Sequence, residues 1–136
     1  MIKWTPALST GVTLLDEHHK SIFHWLAELE AAAADKRRLL GVYSIARLKH
    51  YADEHFAAEE DLMKSANYPD LVPHMAEHAL FRVKLAELQA KAIGHDVSSD
   101  TVEFLKEWLT NHITKTDMAY VPYLKAFELQ QLQRLD

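Results

Sequence analysis

Apolar residues along the chain recur at steps of three and four, the spacing of helices that bury one face. The first stripe, Leu15, His19, Ile22, Leu26 and Leu29, predicts a helix with a histidine in the middle of its inner face. A polar break at Asp35-Lys36-Arg37-Arg38 separates it from a second stripe, Ile45, Leu48, Ala52, His55, Glu59 and Leu62, running toward Ala66. Asn67-Tyr68-Pro69-Asp70 reads as a turn, with Asp70 a suitable N-cap and Pro73 tolerated in the first turn of the helix that follows. The third stripe is Leu71, His74, His78, Phe81, Leu85 and Leu88, stopped by Gly94 as a left-handed C-cap. Val97 to Asp100 forms a loop, after which Val102, Leu105, Leu109 and His112 mark the inner face of a fourth helix, with Trp108 and Ile113 alongside. Four such helices with short links predict an all-α, up-down-up-down antiparallel four-helix bundle.

Met1 to Gly11, with Trp4, Pro6 and a Ser9-Thr10-Gly11 cluster, reads as an N-terminal arm pinned by a buried Trp4. At the other end Phe127, Leu132 and Leu135 mark Ala126–Leu135 as a short C-terminal helix packed on its own bundle. Arm 1–11, bundle 12–118 and extension 119–136 make a single domain, and 136 residues leave no room for a second of normal size. Only 3 Gly and 4 Pro agree with helices rather than sheets. With 15 Lys plus Arg against 20 Asp plus Glu, no basic stretch offers a footprint for nucleic acid. No apolar run is long enough for membrane insertion, and Met1 to Glu17 lacks the pattern of a secretory signal, so a cytoplasmic protein is expected. The absence of Cys removes disulfides, thiolate metal sites and cysteine nucleophiles together.

Nine His are the anomaly. One imidazole on an apolar stripe is usually a hydrogen-bonded core residue. His19, His55, His74, His78 and His112 nevertheless fall on the inner stripes of all four helices, and burying so many polar rings requires strong compensation such as a metal. His55 with Glu59, and His74 with His78, are four apart and share a helix face. His112 and Asp117 are five apart and diverge by about 140° on a regular helix; either the helix is wound wider there as a π-bulge, or Asp117 caps a surface hydrogen bond. Five imidazoles and two carboxylates are too many for one ion. With two ions bridged by Glu59, Asp117 and a solvent oxygen, three histidines complete one ion and two leave the other with an open position. Iron suits such a set, as do manganese, cobalt and zinc.

The chain resembles the hemerythrin family, non-haem di-iron proteins that bind dioxygen inside a four-helix bundle. The resemblance is carried by Trp4, Gly11-Val12, Asp16-Glu17-His18-His19-Lys20, His55-Phe56-Ala57-Ala58-Glu59-Glu60, Tyr68-Pro69, His74 with His78, and Trp108-Leu109 with His112-Ile113 and Asp117. It implies two iron ions with a bridging oxo or hydroxo group: His74, His78 and His112 on the filled iron, His19 and His55 on the iron that takes dioxygen, Glu59 and Asp117 as bridges. Ile22, Phe56, Trp108, Leu109 and Ile113 would surround the oxygen pocket, with Leu109 its gate. The implied function is reversible dioxygen binding by a carrier, store or supplier to an oxygen-consuming enzyme, without catalysis, from a monomer. The alternatives are a di-iron enzyme reactive toward ferrous iron, peroxide or nitric oxide, an oxygen sensor, or a metal buffer. Bundle di-iron enzymes typically use paired Glu-x-x-His motifs, a more anionic set that this chain lacks.

Where the family usually has Gln before its first histidine ligand, this chain has His18. Only His19 lies on the stripe with Leu15, Ile22 and Leu26, so His19 is the expected ligand and His18 a hydrogen-bonding replacement near the bundle end. His24, His50 and His95 are expected outside the site, and Glu60, rotated about 100° from Glu59, beside it.

Overall fold

A computed structural model describes residues 3–92, 94 and 99–134 of the chain. Its elements are α1 (Thr13–Ala34), α2 (Arg38–Ser65), α3 (Leu71–Ala92), α4 (Ser99–Asn111), a π-helical turn (His112–Asp117) and α5 (Met118–Arg134). The last three follow without a break and act as one long rod. Each rod packs on its sequence neighbours, and α1 also packs on α4, so the four close into a ring. Lys36 and Asn67, at φ 56° and 55°, reverse the chain after α1 and α2; Asn suits the left-handed region, and Lys36 occupies it at a small cost. Among the described residues no helix is long and apolar enough to cross a membrane.

The inner stripes form two apolar clusters with a polar layer between them. One contains Ile22, Leu26, Leu48, Phe56, Phe81 and Leu109; the other contains Leu15, Met63, Tyr68, Tyr120 and Leu124. Met63 rather than Leu62 is the fully buried residue at the end of α2, since the seam drifts by one position there.

The arm is held differently from expectation. Trp4 is half-buried, with the Lys20 ammonium 4.6 Å above its ring. Buried Asp16 supplies the fastening: its carboxylate accepts from Ser9 Oγ at 2.5 Å and from the Thr10 amide and hydroxyl at 2.8 Å each. These bonds hold the Asp16 carboxyl below its usual range although burial alone would raise it. Gly11, at φ 80°, provides the left-handed bend that lets the arm reach back.

Two further expectations change. Gly94 does not adopt the left-handed conformation; its amide donates to the Lys91 carbonyl at 3.4 Å, a three-residue closure after the helix. The C-terminal extension is helical, but it grows directly out of the π turn. Tyr120 and Leu124 carry the inner stripe onward from Asp117, whereas Leu129 and Leu132 are 57% and 62% exposed because α5 has by then passed the lower apolar cluster. His95, Val97 and Leu135 lie outside the described residues.

Asp16→Ala should lower the unfolding free energy by about 1.5–3 kcal/mol, the range for hydrogen bonds to a charged group. A urea midpoint that does not move would transfer the role of pinning the arm to Trp4.

Candidate metal centre

His19 of α1, His55 and Glu59 of α2, His74 and His78 of α3, and His112 and Asp117 all reach the polar layer, none more than 2% exposed. On α2 and α3 a four-residue interval is enough to align two side chains. The last rod solves the five-residue interval by changing its winding: the π helix runs from His112 to Asp117 and closes at i+5, which returns both side chains to one face. Thr114 Oγ1 donates to the Thr110 carbonyl at 2.7 Å where the winding changes, and Thr116 Oγ1 donates to Glu77 Oε1 at 2.9 Å.

The two carboxylates divide the imidazoles into two groups. Glu59 Oε1 lies 2.9 Å from Nε2 of both His74 and His78, and Glu59 Oε2 lies 3.1 Å from His55 Nε2. Asp117 Oδ1 lies 3.0 Å from His74 Nε2 and 2.9 Å from His112 Nε2, while Oδ2 lies 3.3 Å from His19 Nε2. Each acid therefore presents one oxygen to a three-histidine group and the other to a two-histidine group. Donor atoms of Glu59, His74, His78, His112 and Asp117 all lie within 4.8 Å of one another, as do those of His19, His55, Glu59 and Asp117.

Direction as well as distance fits metal ligation. Both Asp117 oxygens are buried without a properly oriented hydrogen-bond donor, although imidazole nitrogens stand close by. Nitrogen also faces nitrogen: His19 and His55 Nε2 are 3.0 Å apart, and His78 and His112 Nε2 are 3.1 Å apart. Lone pairs of imidazole and carboxylate aimed at a common point form the donor set of a divalent transition ion.

The charges respond strongly to one another. Burial alone would lower His74 and His112, but the adjacent Asp117 and Glu59 carboxylates outweigh it, raising His74 to about 9 and His112 to about 10. Burial alone would raise Glu59 and Asp117, yet the surrounding imidazoles hold both well below the ordinary carboxylate range.

Around this layer stands a second ring of groups. Glu60 Oε2 is 2.9 Å from His78 Nδ1, and Glu77 Oε1 is 3.2 Å from His112 Nδ1. Phe56 stacks on His78 with centroids 3.9 Å apart, and Trp108 stacks on His112 at 4.7 Å. His24 and His50 are exposed and lie away from the layer. His18 is half-buried, and its Nδ1 meets His55 Nδ1 at 3.1 Å rather than entering the layer.

Sequence reasoning missed Tyr120 and Glu77. Fully buried Tyr120 donates its hydroxyl to Glu59 Oε2 at 2.7 Å, and its ring lies parallel to His74. Its place three residues after Asp117 was the available signal, legible only if Asp117 is already known to face inward. Glu77 offered no signal, because its role depends on where the last rod passes α3.

The family model for the hemerythrin HHE cation binding domain matches residues 10–124. The chain is 33% identical to the bacteriohemerythrin of Stenotrophomonas maltophilia over 98% of this chain and 88% of that protein. It is 36% identical to the bacteriohemerythrin of Methylococcus capsulatus, covering 93% and 98%, and 32% identical to the myohemerythrin of Theromyzon tessulatum, covering 87% and 89%. A crystal structure of wild-type hemerythrin is similar with a TM-score of 0.84 and 35% identity, covering 91% of this chain and 98% of that one.

The carboxylates beside His74 and His112 favour protonation of both rings in the metal-free chain, so metal binding should displace protons. Titrating the metal-free chain with manganese(II) at pH 7 in weak buffer should release about two protons per chain, followed with a pH indicator. Uptake without acidification would show that both rings are neutral beforehand.

Proposed function

The chain belongs to the hemerythrin family, and from that membership we propose that it binds dioxygen reversibly at a non-haem di-iron centre. The observation that carries this reading is the division of Glu59 and Asp117, each with one oxygen toward the His74–His78–His112 group and the other toward the His19–His55 group. His74, His78 and His112 would hold one iron and His19 and His55 the other, with Glu59 and Asp117 each offering an oxygen to both. The His19–His55 side offers one imidazole fewer than the other, which would leave room there for dioxygen. Bound at these residues, a ferrous pair would supply the reversible electron donation that dioxygen binding needs.

The chain itself holds the ligands and keeps water out. Tyr120 donates to Glu59 Oε2 and so fixes the rotation of a bridging carboxylate. Ile22, Phe56, Leu109 and Ile113 are almost fully buried and pack in one cluster with Trp108; this cluster would wall the oxygen pocket. Phe56 and Trp108 lie flat against His78 and His112, so the apolar wall is continuous with the ligand layer. Excluding water there limits proton delivery and the loss of oxygen in reduced form. Leu109, in the upper cluster one turn before Ile113, is the gate.

This is a binding protein rather than an enzyme, in keeping with relatives named bacteriohemerythrin and myohemerythrin. Five neutral imidazoles against two carboxylates make a less anionic donor set than that of carboxylate-rich di-iron sites, which disfavours oxidation of the metal beyond the ferric state. The donor set comes entirely from one chain, which supports a monomer acting as carrier, store or supplier to an oxygen-consuming enzyme. Its setting is the cytoplasm, where a reducing poise favours ferrous iron.

Reconstitution with ferrous iron under argon, titration with oxygen and a return to argon should generate a visible absorption band and then abolish it through repeated cycles. Continuous oxygen consumption would instead indicate an enzyme. Leu109→Ala should speed autoxidation severalfold, measured as decay of that band in air, and an unchanged rate would remove Leu109 from the gate.

A further inference from the structure

Three of the five inner imidazoles meet another side chain at their outward nitrogen, and the three partners are not alike. His78 and His112 are backed by the carboxylates of Glu60 and Glu77. His55 is backed by a second imidazole: the Nδ1 atoms of His18 and His55 are 3.1 Å apart, and the rings meet edge to face at 5.3 Å and 88°. Inward, His55 Nε2 faces Glu59 Oε2 at 3.1 Å and His19 Nε2 at 3.0 Å. An imidazole that gives Nε2 to a metal keeps its proton on Nδ1, so Nδ1 of His55 must donate. His18 Nδ1 must then accept, which leaves the His18 proton on Nε2 and the ring neutral.

We propose that His18 is the positioning residue of the two-histidine metal site, fixing the tautomer and ring orientation of His55 through an uncharged acceptor. The proposal rests on the two-metal reading above and goes beyond it by ranking the two sites. A carboxylate at Nδ1 draws on the N–H proton and makes the opposite nitrogen a stronger ligand, whereas a neutral imidazole does so less. Two of the three histidines in the larger group have that carboxylate. Neither histidine in the smaller group does, since the buried Nδ1 of His19 has no hydrogen-bond partner. The two-histidine site therefore releases its metal first, and the residue at position 18 sets how readily.

Zinc is a redox-silent probe of this difference. Chains loaded with two zinc ions and mixed with a chromophoric chelator should release them in a fast and a slow phase. His18→Leu should accelerate the fast phase about ten- to a hundredfold, the usual effect of losing such a partner, and leave the slow phase unchanged. His18→Gln retains an acceptor and should stay close to the original rate, while His18→Glu should slow the fast phase. Equal acceleration of both phases, or no change in His18→Leu, overturns the proposal and leaves the two-metal reading intact. Uptake of fewer than two zinc ions by the unaltered chain overturns both. If His18→Leu does not fold, nitrogen NMR of the zinc-loaded unaltered chain decides: the proton of His55 is expected on Nδ1 and that of His18 on Nε2, and a proton on His18 Nδ1 overturns the assignment.

Discussion

Glu59 and Asp117 are kept wholly out of water in the middle of a helical bundle, where an isolated carboxylate would take up a proton or unfold its surroundings. Five imidazoles make their burial possible, and the donor atoms of acids and rings gather closely enough to hold metal. Because the acids and rings come from every rod, no helix can rotate or slide without breaking the set. The phase of α1, α2 and α3, and the position of the apolar clusters above and below, all conform to this polar layer.

The last rod shows the constraint overriding local preference. A regular α-helix from Ser99 onward would satisfy every backbone bond but send Asp117 away from His112. The chain instead adopts a rare π turn over His112–Asp117. Thr114 supplies an extra hydroxyl donor beside the altered ladder, and the same turn aims Tyr120 back at Glu59. A winding that is poor in isolation thus delivers one buried acid to the polar layer and the hydroxyl that steadies the other.

Control of the centre extends outward through unequal partners. Glu60 behind His78 lies 3.9 Å from Arg82, whose guanidinium also contacts Asp53 at 3.2 Å and covers the Phe56 ring at 5.1 Å. Glu77 behind His112 is held by Thr116. His55 has only His18 in that position. The three-histidine side is therefore backed by charge anchored near the surface, and the two-histidine side is not. Such an arrangement suits a centre in which one ion is structural and the other exchanges a ligand.

Much of this was legible along the chain. Steps of three and four placed Leu15, His19, Ile22 and Leu26 on one face and did the same for the other helices, because burial of a face depends only on local periodicity. The same stripes placed histidines on all four rods and the Glu59 carboxylate where it can meet them. Asp117 was ambiguous because its interval fits two windings, and the choice lies with the imidazoles from α1 and α3 that meet it. Trp4 packs on the core but is only half-buried, and Gly94 was misjudged, because residue type suggests a pin or a cap without showing which other contacts, such as Asp16 with Thr10, are also in place. The sequence alone thus determined which side chains turn inward and what chemistry they bring. Only the tertiary structure decided which oxygen faces which ring, where the helix widens, and what stands behind each imidazole, because those depend on the spacing between rods remote in sequence.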